Sequence, residues 1–200
     1  RLEGLKKEKV EYQYATLKSQ VNPHFLFNSF NTLIAIIEDD QKKAISYVEK
    51  LADYFRNMVR HRDKDVISLE EELEMVNTYY FLQQKRFGDY LELELDVPTL
   101  WKQEFGLPPL SLQLLIENAV KHNAVSYETP LKIQVTAAEN HSLIISNNLN
   151  PKKQAEPSTG IGLDNIINRF TIISGQKVKV HTEGNTFIVE IPLIRIPVAY

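Results

Sequence analysis

The spacing of apolar residues changes character near residue 88, and that change limits what this chain can fold into. Upstream, apolar residues recur every three or four positions, the period of a helix face. Downstream, short stretches alternate with a period of two, the pattern of half-buried strands. Two seams run through residues 31–60: Ile34, Gln41, Val48 and Phe55 fall seven apart, and Ile37, Ala44, Leu51 and Met58 form a second set. Interleaved heptad seams predict a helix packed in a bundle. In residues 1–21, Val10, Tyr14, Leu17 and Val21 share a face, which suits either a helix pairing with a partner or a solvated lead-in. A first helix ending at the Pro23-His24 stretch makes a helical hairpin. Two helices bury little apolar surface, so dimerisation into a four-helix bundle is the expected remedy.

Further on, Ser68 and Glu71 form a capping box that opens a helix with Leu69, Leu73, Val76 and Tyr80 on its apolar face. It runs to about Phe87, where Gly88-Asp89 stops it. Residues 90–97 read as a strand and 110–123 as a strongly apolar helix. Strands follow over 131–137 and 142–146, with a turn at Glu139-Asn140, then a loop over 147–159. Gly160-Ile161-Gly162-Leu163 opens a helix to about residue 174. A final hairpin pairs 177–182 with 187–191 around Glu183-Gly184-Asn185. The expected class is α+β: a helical part over residues 1–87, then an α/β sandwich with an antiparallel-leaning sheet over 88–200.

The chain has no cysteine, which removes disulfides and thiolate metal sites. Its net charge of −3 gives no general pull toward nucleic acid. No run of about 18 apolar residues is present to span a membrane. The chain starts at Arg1, already in helix-like sequence, so a longer protein with an upstream portion is expected.

Three constellations can carry chemistry. Pro23 either kinks a helix or opens one behind Asn22 as N-cap; both leave backbone donors near His24 for a phosphoryl group. A neutral imidazole is nucleophilic near pH 7, although a lone histidine in an apolar stretch is usually a packing residue. Asn28, one turn on, can orient the ring. On the 110–123 helix, Asn118, Lys121 and His122 share a face beside Glu117. An amide, an ammonium and an imidazole can hold a hydrated divalent cation and phosphate oxygens; they also suit an ordinary polar helix face. Gly160 and Gly162 at a helix start let backbone donors approach phosphates, as glycines also serve any tight turn. Lys152, Lys153, Ser158 and Thr159 lie before them, and Asn147-Asn148 can address a purine edge. His61, His141 and His181 are assigned to packing or to the surface.

Taken together, these pieces resemble the LytS/YehU-type sensor histidine kinases. Gln20 to Asn28 is similar to their N-P-H-F-[LI]-[FY]-N phosphoacceptor stretch. The likeness continues through Leu69-Glu70-Glu71-Glu72-Leu73-Glu74, Lys85-Arg86-Phe87-Gly88-Asp89 and Pro108-Pro109-Leu110. It reaches Leu112-Gln113-Leu114-Leu115-Ile116-Glu117-Asn118-Ala119-Val120-Lys121-His122 and Gly160-Ile161-Gly162-Leu163-Asp164-Asn165 in the same order.

The resemblance implies a dimeric phosphoacceptor region over 1–87 and a Bergerat-type ATP-binding domain over 88–200. It makes His24 the acceptor of the γ-phosphoryl group of ATP, with Asn28 and Glu117 in the catalytic set. Asn118 becomes the Mg²⁺ ligand, and Lys121, His122, Asn147, Gly160, Gly162 and Leu163 become nucleotide-binding. It also implies a homodimer, a response regulator of LytTR type as partner, and a cytoplasmic position in a membrane protein anchored by the missing N-terminal segment. One box departs from the pattern. Asn147 stands where the family has the aspartate of Asp-x-Gly, and Leu149 stands at the glycine. That departure motivates the alternative of a non-catalytic, nucleotide-binding pseudokinase scaffold.

Overall fold

The computed structural model describes residues 23–61, 63–152 and 161–197. The expected helix over 1–21 lies outside the described residues. Packing divides the chain into two units, Arg1–Leu51 and Ala52–Tyr200.

In the first unit, helix α1 (Pro23–Asp39) begins on a proline, whose fixed φ and missing N–H suit the first helical position. Helix α2 (Gln41–Arg60) follows after one non-helical residue. This corrects one expectation, since the 31–60 pattern is not one helix; Pro23 stands first in the described helix, in keeping with the helix-opening one of the two arrangements read from sequence. The seams run through the break unperturbed, but local chemistry decides there. Asp40 Oδ1 accepts from the backbone N–H groups of Lys42 at 2.9 Å and Lys43 at 3.1 Å, which makes it a helix N-cap. The Lys43 backbone bond leads in holding the Asp40 carboxyl below its ordinary range. The seams also split by exposure. Ala44 and Leu51 are buried, while Ile34, Ile37 and Val48 are 57%, 55% and 45% exposed.

The second unit is built on a five-stranded sheet. Its strands are β2 (Leu91–Asp96), β4 (Leu131–Ala138), β5 (Ser142–Asn148), β6 (Lys179–Glu183) and β7 (Thr186–Pro192), in the order β2-β4-β5-β7-β6. Only β2 and β4 run parallel; the other pairs are antiparallel. On β4, Leu131, Ile133 and Val135 are buried while Lys132 and Gln134 are exposed, the alternation of a sheet covered on one face. Helix α5 (Ser111–His122) packs on β4 and β5, flanked by α3 (Leu69–Phe87) and α6 (Ile161–Ser174). The architecture is helices followed by a mixed sheet with helices, an α+β fold.

Helix α3 has the capping box read from sequence. Ser68 Oγ accepts from the Glu71 N–H at 3.2 Å, and Glu71 Oε2 accepts from the Ser68 N–H at 3.0 Å. Gly88 ends the helix at φ 60°, a conformation that favours glycine. Among the elements not anticipated are the short helix α4 (Thr99–Glu104) and strand β3 (Phe105–Leu107). With β1 (Ile67–Ser68) and β8 (Ile194–Arg195), β3 forms a second sheet in the order β1-β3-β8. Strands of two or three residues carry too little pattern to read.

Candidate functional site

Helix α5 separates its two faces as the sequence predicts. Leu112, Leu115, Ile116 and Ala119 are buried. Glu117, Asn118 and Lys121 are half-buried, and His122 is exposed. The apolar side anchors the helix on the sheet and leaves a carboxylate, an amide and an ammonium within about two turns of one another. Glu117 also acts inward: after burial, its charge is the next cause raising the pKa of the Tyr54 and Tyr79 phenols.

The start of α5 lies in the interior. Leu110, Ser111, Leu112 and Gln113 are all buried. Leu110 occupies the N-cap position in the left-handed region, at φ 65°, and offers no side-chain cap. The acceptors come from elsewhere. The fully buried Glu72 of α3 accepts from the Leu110 N–H through Oε2 at 2.9 Å. Through Oε1 it accepts from Leu112 at 2.8 Å and Gln113 at 3.2 Å. Burial pushes the Glu72 carboxyl up to about 7, against these three bonds and the nearby Arg169 charge. From α6, Arg169 Nη1 donates to the Pro109 carbonyl at 2.9 Å and Nη2 to the Lys64 carbonyl at 3.2 Å. Gln113 Nε2 donates to the Tyr54 hydroxyl at 2.9 Å, while its buried Oε1 has no hydrogen-bond partner.

The far end of α5 is tied to the chain leaving β5. Lys152 Nζ donates to the Lys121 carbonyl at 2.6 Å, capping the helix C-terminus with a cation. Asn123 Oδ1 accepts from the Asn150 N–H at 2.7 Å, and Asn123 pairs with Pro151. Asn147 closes β5 as a buried residue, its Nδ2 donating to the Asn148 carbonyl at 2.8 Å. Asn148 and Asn150 are occupied structurally: Asn148 Oδ1 accepts from Lys132 N–H, and both side-chain amides donate to the Pro130 carbonyl. Asn147 and the 117–122 face are thus brought to one end of the sheet. Leu163 is half-buried near the start of α6. Gly160, with Lys153, Ser158 and Thr159, lies outside the described residues, and Gly162 falls within the first turn of α6.

His24 is exposed on α1. The Asn28 amide nitrogen lies 3.1 Å from its Nδ1 and 3.3 Å from its Nε2. Donation from that amide holds the ring by its lone-pair nitrogen. A half-turn of the amide would present its oxygen to the ring N–H instead, turning the other lone pair outward. His61 is buried, with Nδ1 lacking a hydrogen-bond partner, and burial lowers its pKa. No group of three His, Asp or Glu side chains among the described residues can hold a metal by itself.

Sequence reasoning missed Glu72, Arg169, Gln113 and Tyr54. Glu72 sits in an acidic first turn and Arg169 in an ordinary amphipathic helix. Glu72 and Gln113 lie within the motif stretches, which name no partner, and Arg169 and Tyr54 lie outside them.

A family profile described as Histidine kinase matches residues 12–91. The sensor protein LytS of Staphylococcus haemolyticus is 31% identical over 196 residues, covering 88% of this chain and 33% of that protein. The sensor histidine kinase BtsS of Escherichia coli K12 is 31% identical over 157 residues, covering 77% of this chain and 28% of that protein. Among solved structures, the catalytic domain of histidine kinase ThkA is similar at a TM-score of 0.48 and 16% identity, covering 64% of this chain and 95% of that one. The chain spans about a third of the length of the curated relatives it matches.

Proposed function

The chain belongs to the LytS-type histidine kinases, and on that footing we propose that it is the kinase region of a two-component sensor. Residues 1–87 are the dimerisation and phosphoacceptor region and 88–200 the ATP-binding domain. A ring nitrogen of His24 attacks the γ-phosphorus of ATP. The nitrogen–phosphorus bond forms as the bridging bond to ADP breaks, and the phosphoryl group passes to an aspartate of a response regulator of LytTR type. The observation that carries this is one chain holding both an exposed His24 addressed by the Asn28 amide and a helix with Glu117, Asn118 and Lys121 on its open face.

Asn118 offers an amide oxygen, a hard ligand suited to Mg²⁺, which keeps several waters and shares phosphate oxygens. Lys121 and the start of α6 add positive charge for the phosphates, with Gly160 and Gly162 allowing close backbone approach and Leu163 and His122 at the edges. With the Asn147 NH₂ donating to Asn148, the Asn147 oxygen is the branch left for an adenine amino group. Phosphoryl transfer through a loose transition state depends mainly on positioning and charge, so no strong base is required of the His24 surroundings.

The exposed Ile34, Ile37 and Val48 support closure of the bundle by a second copy of the chain. No helix among the described residues is long and apolar enough to cross a membrane. Membrane attachment belongs to segments preceding this region, which then lies on the cytoplasmic side.

The altered box that motivates the scaffold alternative carries no left-handed φ at Leu149, so the leucine is accommodated there without backbone strain. Incubation with Mg²⁺ and γ-labelled ATP tests the kinase reading. Acid-labile phosphate is expected on the wild type and absent from His24→Gln. Label that persists in His24→Gln removes the assignment.

A further inference from the structure

Resting on the nucleotide-site reading above, we propose that Glu72 and Arg169 are positioning residues. Together they fix where α5 begins, and so where Asn118 and Lys121 stand. Every backbone donor at that helix start is accounted for. Ser111 donates to the Pro108 carbonyl, and Leu114 donates to Leu110, beginning the helical ladder. The remaining three, at Leu110, Leu112 and Gln113, converge on one carboxylate.

A local serine or aspartate at position 110 would finish the helix just as well. A leucine stands there instead, in the left-handed region, and the acceptor comes from α3, far away in sequence. That choice does something a local cap does not: it sets α5 against another helix. Arg169 adds a second reference. It lies seven residues after Gly162, two turns along α6, and grips the carbonyl of Pro109 in the turn that leads into α5. Its other arm holds Lys64, in the segment leading to β1. The helix that bears Asn118 and the helix that follows the glycine pair are therefore registered at the same corner.

A helix transmits such a placement as a stiff rod. Asn118 lies six residues beyond Leu112, about 9 Å along the axis. Misplacement of a binding group by about 1 Å can cost up to about a hundredfold in productive geometry. Glutamine at position 72 keeps the shape of the carboxylate but has only one acceptor oxygen. With that oxygen serving Leu112 and Gln113, its NH₂ meets the Leu110 N–H donor to donor, and the helix start must shift.

The test measures autophosphorylation of the 200-residue chain against ATP concentration for the wild type, Glu72→Gln and Arg169→Lys, with each rate normalised to folded protein. The expected result is a KM for ATP raised about tenfold in Glu72→Gln and about threefold in Arg169→Lys, with the rate at saturating ATP retained. Arg169→Lys removes the two-armed bridge and decides the matter should Glu72→Gln not fold. A lowered melting point with wild-type KM in the folded variants makes the corner merely structural and overturns the proposal alone. A wild type that takes up no phosphate overturns the nucleotide-site reading, and the proposal with it.

Discussion

Glu72→Gln exchanges a buried carboxyl for a neutral side chain of nearly the same shape, and its effect on stability must change with pH. In the folded chain the Glu72 carboxyl is pushed from the ordinary 4.5 up to about 7 by burial. Between those values the folded chain holds a proton that the unfolded chain has released, so raising the pH favours unfolding. At about 1.4 kcal/mol per pH unit, this window amounts to about 3 kcal/mol. The contribution is fully present below the unfolded value and is lost as the pH rises through about 7. The neighbouring Glu71 behaves oppositely. Against its partial burial, its bonds to Ser68 and Lys64 hold it below the ordinary range, so its contribution is lost as the pH falls.

Glutamine cannot titrate, so the wild-type stability minus that of Glu72→Gln isolates this one group from all the others. Trp101 is the sole tryptophan and packs with its ring centroid 5.5 Å from that of Phe105, in the second unit, which makes its fluorescence a suitable reporter of urea unfolding. Between about pH 5 and about pH 8 the difference should shift by about 2.5 kcal/mol, with the glutamine variant gaining on the wild type as the pH rises. A difference constant to within about 0.5 kcal/mol across that range would refute a carboxyl raised by burial. Lost hydrogen bonding shifts the whole curve without changing its slope, so the pH dependence is the diagnostic quantity.

Other changes have equally specific outcomes. A Cβ at Gly106 would collide with the Ile67 carbonyl oxygen and stand 2.8 Å from Val66 Cγ1; Gly106→Ala should cost about 3 kcal/mol in urea unfolding because the β1–β3 pairing has to open. Ser68→Ala removes the acceptor of the Glu71 N–H and should cost about 1 kcal/mol, read as a melting point lowered by a few degrees. Ile34→Glu combined with Val48→Glu should yield monomers in sedimentation at micromolar concentration where the wild type is dimeric; a wild type that is already monomeric refutes the bundle.

Much of the fold was legible because its signals are local. The Ser68–Glu71 box, the Gly88 stop, the alternation on β4 and the two-faced α5 each follow from a spacing that one element fixes by itself. The break at Asp40 was hidden because the heptad does not register a capping side chain inside it. The short β1, β3 and β8 were hidden because their sheet exists only through pairing among residues 67–68, 105–107 and 194–195. At the candidate site, the residues with open faces were legible and those that position them were not.

The acidic run at the start of α3 shows why. Glu70, Glu71, Glu72 and Glu74 look alike in sequence, and the helix dipole accounts for acidic residues in a first turn. Three of them nevertheless have different fates. Glu70 is exposed, Glu71 closes the box on its own helix, and Glu72 turns inward to cap another. Helical spacing gives a reason for the difference: Glu72 lies three residues after Leu69 and four before Val76, both fully buried, so it shares their face. A carboxylate on an apolar face must find donors or neutralise. The nearest set of unsatisfied donors in such a fold is the start of a buried helix whose own cap position holds a leucine. A glutamate in phase with a buried stripe, together with a helix start lacking a polar cap, is a paired sequence signal for a long-range cap. Neither half of that signal is informative alone.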